Sequence, residues 1–222
     1  MSASHIHPGN PVTVDRYSGS ERVNHWVTAT SLVLLAVSGL AFFHPSLFFL
    51  SSLFGGGSTA RMLHPWIGVL LFFSFSRLFL RFWRENLWKR DDTTWLTHVG
   101  DELSGHEERL PEVGKYNAGQ KLVFWSMSAL VIALIVTGVV IWDQYFYAYT
   151  SIPTKRVAVL VHALAAIVAI LVVIVHIYAA FWVRGTIAAM TQGVVTGGWA
   201  WRHHRKWLKE LAGGSKDAGP AE

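Results

Sequence analysis

Cysteine is absent from the 222 residues, which excludes disulfides, thiolate-held zinc, iron–sulfur clusters and the thioether attachment of a c-type haem. Charge is scarce too. Asp, Glu, Lys and Arg make up 15% of the chain against 52% apolar residues, and the mean hydropathy is +0.34. Soluble domains carry about 25% charged residues, so the bilayer is the chain's main solvent. The polar stretch 1–22 lacks the short apolar run and small-residue cleavage site of a removable signal peptide. The first long apolar segment is therefore expected to act as the insertion signal.

Four segments are long and apolar enough to cross about 30 Å of hydrocarbon, which takes roughly 20 residues of helix: residues 23–43, 63–84, 122–142 and 157–183. The third has no charge between Lys121 and Asp143, the fourth none between Arg156 and Arg184. A Gly/Ser-rich turn region at 51–59 joins the first two. A polar stretch at 85–121 with eight acidic residues joins the second to the third, with amphipathic turns around 95–103. The expected fold is an all-α membrane protein, a four-transmembrane-helix bundle over 23–183. It is flanked by a cytoplasmic N-terminal segment (1–22) and a cytoplasmic basic tail (184–222), with no internal repeat and no second folded domain.

Orientation follows from the basic residues. With the N-terminus inside, the two external loops carry only Arg61, Lys155 and Arg156, three of the 19 Lys and Arg. Both termini are thus expected in the cytoplasm, and the net charge of +5 reads as positive-inside topology and contact with anionic lipid rather than nucleic acid.

Eleven histidines are present, and His25, His64, His162 and His176 lie within the spans. Imidazole in hydrocarbon is costly and marks function. Single ones serve as interhelical hydrogen-bonding groups, but these four form a depth pattern. His162 and His176 are fourteen residues apart on one helix, hence ~21 Å along the axis and within roughly 40° of one face. His64 stands at the external start of the second span and His25 at the cytoplasmic start of the first. The depth-matched pairs are His64 with His162 (outer) and His25 with His176 (inner). Each supplies two axial imidazoles for a b-type haem, an arrangement without an open iron position that suits electron transfer.

Several motifs carry a resemblance: N-H-W in the first span, M-L-H-P-W in the second, L-V-H-A and I-V-H-I-Y in the fourth, the basic W-R-H-H-R-K-W, and above all V-G-K-Y-N-A-G-Q-K at 113–121. Over roughly residues 16–208 the chain resembles the cytochrome b (gamma) subunit of membrane-bound respiratory formate dehydrogenase. Residues 1–13 and the Gly/Ala tail after Ala212 have no counterpart in it. The resemblance implies two haem b groups and a bacterial inner-membrane location. It further implies a molybdenum or tungsten catalytic subunit that oxidises formate outside, an iron–sulfur beta subunit that feeds electrons to the outer haem, and a membrane quinone reduced near the cytoplasmic face. It places Asn117 and Gly119 at the quinone headgroup, with His176 nearby.

The residues alone support that site less sharply. Asn117 can cap the third span, and its amide, the Gly119 backbone and Gln120 offer hydrogen bonds to a quinone carbonyl; an ordinary capped helix start is the plainer reading. Arg77, Arg81 and Arg84 share a helical face. Arg77 falls ~20 Å inward from His64, where a haem propionate would suit it, and snorkelling to headgroups is the alternative. Trp26, Trp66, Trp142, Tyr145 and Trp182 read as an aromatic belt. His98, His106, His203 and His204 read as solvated loop or interface residues, and His5, His7 and His44 suggest no partner. Two alternatives stay open: the cytochrome b of a nickel–iron hydrogenase or other molybdenum oxidoreductase, and, in another class, a haem-free anchor or proton-relay transporter.

Overall fold

The computed structural model describes residues 5–103 and 110–214. In chain order it has strands β1 (Ile6–His7) and β2 (Thr13–Asp15), helix α1 (Gly19–Phe43), a 3-10 helix (Pro45–Phe54) and α2 (Gly57–Phe82). Two short helices follow, α3 (Arg90–Thr97) and α4 (Val99–Leu103), then α5 (Ala118–Ile141) and α6 (Asp143–Phe146). A 3-10 turn (Tyr147–Tyr149) leads to α7 (Ile152–Trp182), α8 (Thr186–Thr191), β3 (Val194–Thr196), α9 (Gly197–His203) and α10 (Arg205–Gly214). Among the described residues, α1, α2, α5 and α7 are the helices long and apolar enough to cross a membrane. Each starts four to six residues before the corresponding sequence expectation, because helical hydrogen bonding continues into residues too polar for hydropathy to register.

The chain forms two compact units. One comprises Val23–Arg81 and Trp125–Val175 and contains most of the four long helices. Its polarity is inverted relative to a soluble domain. Phe73, Ile132, Val136, Leu164 and Leu171 are more than half exposed, while Thr28, Ser31, Ser38, Ala41, Ser74, Ser128, Thr137, Ala158, Ala165 and Ala169 are buried. Large apolar side chains face outward as lipid would require, and small ones let helices approach. The buried hydroxyls of Thr28, Ser31 and Ser38 donate to carbonyls four residues back, those of Asn24, Val27 and Leu34, at 2.8–2.9 Å. No polar hydrogen is thereby stranded. Asn24 ties α1 to α2 through its carboxamide, which donates to the Ser74 carbonyl at 2.9 Å. Trp66 packs edge-on against Trp142 with centroids 5.3 Å apart.

The second unit comprises Met1–Arg22, Phe82–Phe124 and His176–Glu222. The sequence expectation of no second folded domain does not hold: the polar N-terminal segment, the inter-helix stretch and the tail fold together. β2 pairs antiparallel with both β1 and β3, with Thr13 opposite Thr196 and Asp15 opposite Val194. Val14, Ala189, Val195, Trp199, Ala200 and Trp207 form its buried core. Trp95, Val113 and Ala118 of the inter-helix stretch and the start of α5 form a separate buried cluster. Gly193 shows why glycine is needed there. Its φ is +89°, and a Cβ would stand 2.7 Å from the Tyr17 carbonyl oxygen. The expected turn at 51–59 is also shorter than read. Its first residues continue the 3-10 helix, which ends at Gly55 in the left-handed conformation (φ 84°).

Candidate haem centre

His162 lies on the small-residue stripe of α7, between Ala158 and Ala165, both buried. Its ring centroid is 6.3 Å from that of His64 on α2. Two imidazoles bound on opposite sides of one metal, each at ~2 Å, have ring centres roughly 6 Å apart. The pair therefore fits two axial ligands of one iron. Among the described residues no group of three or more His, Cys, Asp or Glu side chains could enclose a metal alone. Haem iron needs no such group, since the macrocycle supplies four of its six nitrogens.

Two neighbours of this pair escaped the sequence reading. Ser38 Oγ lies 2.7 Å from His64 Nδ1 and Thr137 Oγ1 lies 2.9 Å from His162 Nδ1. Each hydroxyl is followed by a glycine set against the same ring. A Cβ on Gly39 would meet His64 Cε1 at 3.6 Å, and one on Gly138 would meet His162 Cε1 at 3.5 Å. The sequence signal is a hydroxyl–glycine pair 26 residues before one histidine and 25 before the other, but two common dipeptides have no force until the rings are placed.

The other predicted residues fall as follows. His25 is half-buried on α1, one turn before the buried Thr28, with its ring edge-on to Trp26 at 5.4 Å. His176 is on α7, seven residues beyond Ala169 on the stripe that carries His162, and is exposed. Arg77, Arg81 and Arg84 are exposed; Arg84 lies over the Trp83 ring at 5.2 Å.

Asn117 and Gln120 form a reciprocal cap at the start of α5. The Gln120 N–H donates to Asn117 Oδ1 at 2.9 Å, and the Asn117 N–H donates to Gln120 Oε1 at 3.1 Å. Backbone donors thus take both carboxamide oxygens, and the amide NH2 groups are the donors these side chains can offer to a carbonyl. Gly119 is close-packed against Trp95, with Cη2 3.3 Å from where a Cβ would stand. Lys121 follows. It is buried, and Nζ donates to Asp92 at 2.7 Å and to the Leu87 carbonyl at 3.1 Å. A cleft beside this turn is lined by Glu85, Lys115, Tyr116, Lys121 and Lys206, among others.

Behind the turn, His204 is 1% exposed, which corrects its reading as a solvated residue. Its Nδ1 is 2.7 Å from the Gly114 carbonyl and its Nε2 3.3 Å from the Arg16 guanidinium. Arg16 is itself buried, donates to the Lys115 carbonyl at 2.6 Å, and lies over the rings of Trp199 and Trp207 at 5.0 and 4.9 Å. Burial, then the Arg16 charge, hold the His204 pKa well below the usual imidazole value. Burial, then the Tyr17 phenol, push Tyr116 well above the usual phenol value. A hydrogen bond with Lys206 holds the Asp91 carboxyl low. His7 also finds a partner, Asp15 at 3.0 Å, and His44 caps the 3-10 helix by accepting from the Ser46 N–H at 3.2 Å. His98 and His203 are half-buried. His106 lies outside the described residues.

Comparison with known proteins agrees with these features. Residues 16–193 match the family described as prokaryotic cytochrome b561. The chain is 45% identical over 199 residues to the formate dehydrogenase cytochrome b556(fdo) subunit of Escherichia coli K12, covering 90% of this chain and 93% of that protein. It is 40% identical over 191 residues to the nitrate-inducible formate dehydrogenase cytochrome b556(Fdn) subunit of the same organism, covering 86% and 88%. It is 38% identical over 207 residues to the formate dehydrogenase cytochrome b556 subunit of Haemophilus influenzae, covering 93% and 87%. Four apolar helices, an imidazole pair spaced for one iron and a family match over most of the chain converge: this protein belongs to the prokaryotic cytochrome b561 family of membrane b-type electron-transfer proteins.

Proposed function

We propose that the chain is the dihaem cytochrome b subunit of a respiratory formate dehydrogenase in the bacterial inner membrane, taking electrons from a periplasmic iron–sulfur subunit and delivering them to a quinone near the cytoplasmic face. The observation that carries the electron-transfer part is the His64–His162 ring pair at 6.3 Å. The names of the relatives support the formate dehydrogenase assignment; a partner subunit holding molybdenum or tungsten follows from the family resemblance alone. Haem b held by paired imidazoles would supply reversible one-electron chemistry at iron. His64 and His162 would hold the outer group. His25 and His176 would hold the inner one, a pairing that rests on their depths in the sequence. Arg77 is the candidate partner for an inner propionate.

The chain's own residues also orient the acceptor. The NH2 groups of Asn117 and Gln120 would donate to a quinone carbonyl, beside Gly119 and the Trp95 ring packed on it. Orientation of the whole rests on charge, since only three of 19 basic residues fall in the loops assigned to the outside. Formate oxidation itself would belong to another subunit. With the proton-releasing and proton-consuming reactions on opposite faces, electron flow through this chain separates charge without a proton channel in it.

The test is haem content in the intact complex. His64→Ala or His162→Ala should remove the outer haem and block electron entry, and His25→Ala or His176→Ala should remove the inner haem while sparing the outer. Single variants that all keep two haems with unchanged reduced-minus-oxidised spectra would overturn the ligand assignment.

A further inference from the structure

We propose that Ser38 and Thr137 are positioning residues: they fix the ring tautomer of His64 and His162 and hold down the reduction potential of the group these histidines bind. The proposal rests on the reading of His64 and His162 as axial ligands.

The argument counts hydrogens. A hydroxyl has one proton to donate, and a carbonyl oxygen can only accept. Ser38 Oγ stands 2.8 Å from the Leu34 carbonyl oxygen, so its proton goes there. At the 2.7 Å contact with His64 Nδ1 the hydroxyl therefore presents a lone pair, and Nδ1 carries the hydrogen. Thr137 repeats the arrangement. Oγ1 donates to the Ala133 carbonyl at 2.6 Å and accepts from His162 Nδ1 at 2.9 Å. Both rings are thus held with the proton on Nδ1 and the lone pair on Nε2, the nitrogen left for a metal. A hydroxyl free to rotate would allow either tautomer; one committed to its own helix allows only this one.

Placement reinforces the chemistry. Ser38 is fully buried and Thr137 nearly so, so water does not compete for either Nδ1 hydrogen. Gly39 and Gly138 follow the hydroxyls and bring helix backbone close to the rings: a Cβ at either would already stand in van der Waals contact with ring Cε1, at 3.6 and 3.5 Å. Each helical hairpin, α1 with α2 and α5 with α7, contributes one imidazole and the hydroxyl that orients it. A ligand imidazole whose N–H is held by an acceptor is a stronger donor to metal, which favours the more highly charged oxidised iron. Loss of the acceptor should therefore raise the potential.

The experiment compares Ser38→Ala and Thr137→Val with the hydroxyl-retaining Ser38→Thr and Thr137→Ser in the intact, haem-loaded complex. The readouts are equilibrium redox titration of the haem absorption bands and haem transfer to an added apoglobin. Ser38→Ala and Thr137→Val should raise the reduced-to-oxidised ratio of the outer haem about three- to ten-fold at a fixed ambient potential, ~30–60 mV for one electron. They should also weaken haem retention about ten- to a hundred-fold, and the inner haem should titrate as before. The hydroxyl-retaining variants should stay near the parent. Unchanged potential and retention in both Ser38→Ala and Thr137→Val, with His64→Ala still losing a haem, would overturn the positioning role while leaving the ligands in place. Equal losses in the Ser38→Ala and Ser38→Thr variants would overturn it in favour of packing. Retention of both haems by His64→Ala and His162→Ala would reject the ligand reading itself.

Discussion

Replacing Lys121 by Met tests how the helix start that carries Asn117 is held. Lys121 is 3% exposed and Asp92 2%, so the pair lies out of water's reach. Nζ donates to Asp92 Oδ2 at 2.7 Å, and the same oxygen accepts the Lys89 N–H at 2.6 Å at the start of α3. Lys121→Met keeps most of the apolar stem but leaves a buried carboxylate facing one backbone donor and the N-terminus of α3. Breaking one side of a buried ion pair costs about 3–5 kcal/mol. The remaining backbone hydrogen bond and helix dipole place this case near the lower figure, ~3 kcal/mol. Lys121→Met combined with Asp92→Asn removes both charges and should recover most of that, leaving roughly 1 kcal/mol for the hydrogen bonds lost at Leu87 and Asp92. Equilibrium unfolding of the detergent-solubilised complex, followed by protease cleavage within the stretch joining α2 to α5, reads both variants. A single variant within ~1 kcal/mol of the parent, or a double variant no more stable than the single, would refute the reasoning that an orphaned buried charge is the cost.

At the quinone turn, Asn117→Asp keeps the capping oxygen and removes the amide donor, so haem reduction should persist while quinone reduction falls about ten- to a hundred-fold, the equivalent of a ~1.5–3 kcal/mol bond to a carbonyl gaining charge. Normal quinone turnover and inhibitor binding in Asn117→Asp and in a bulky Gly119 variant would reject the site. His204 sets a pH dependence. Unfolded imidazole takes a proton near pH 6.5, whereas the buried ring resists it, so the unit holding His204 should lose up to ~1.4 kcal/mol of stability per pH unit as pH falls below that value. Denaturation midpoints between pH 5 and 8 check this, and His204→Gln should flatten the slope. Gly193→Ala should destabilise the same unit by at least ~2 kcal/mol, through the left-handed backbone and the clash with the Tyr17 carbonyl; an unchanged melting temperature would argue against it. Finally, a reporter fused at 51–59 should be periplasmic and one at 85–114 cytoplasmic, and the opposite pattern would invert the proposed electron path.

The absence of cysteine alone excludes thiolate-based metal sites, and hydrophobicity and residue spacing alone determine the four spans and the depths of four histidines, because insertion into a bilayer is governed by local composition and a helix fixes distances along its own axis. The match of His64 with His162 follows from such depths, and their rings do meet. Other contacts depend on partners distant in the chain. Nothing in Val194–Thr196 announces that it pairs with Thr13–Asp15, so the polar segments read as separate tails rather than as one unit. His204 looks like part of a solvated basic run until Arg16, 188 residues away, closes over it. The cap at Asn117 is local and could be anticipated; the packing of Trp95 on Gly119 could not. Ser38 and Thr137 are the clearest case. Each satisfies its proton within its own helix, a local fact, but gains meaning only when a neighbouring helix brings an imidazole to its remaining lone pair. Helix propensity and hydropathy are additive along the chain, whereas a hydrogen bond between helices depends on rotation and rise to within a few tenths of an ångström, which tertiary packing alone decides.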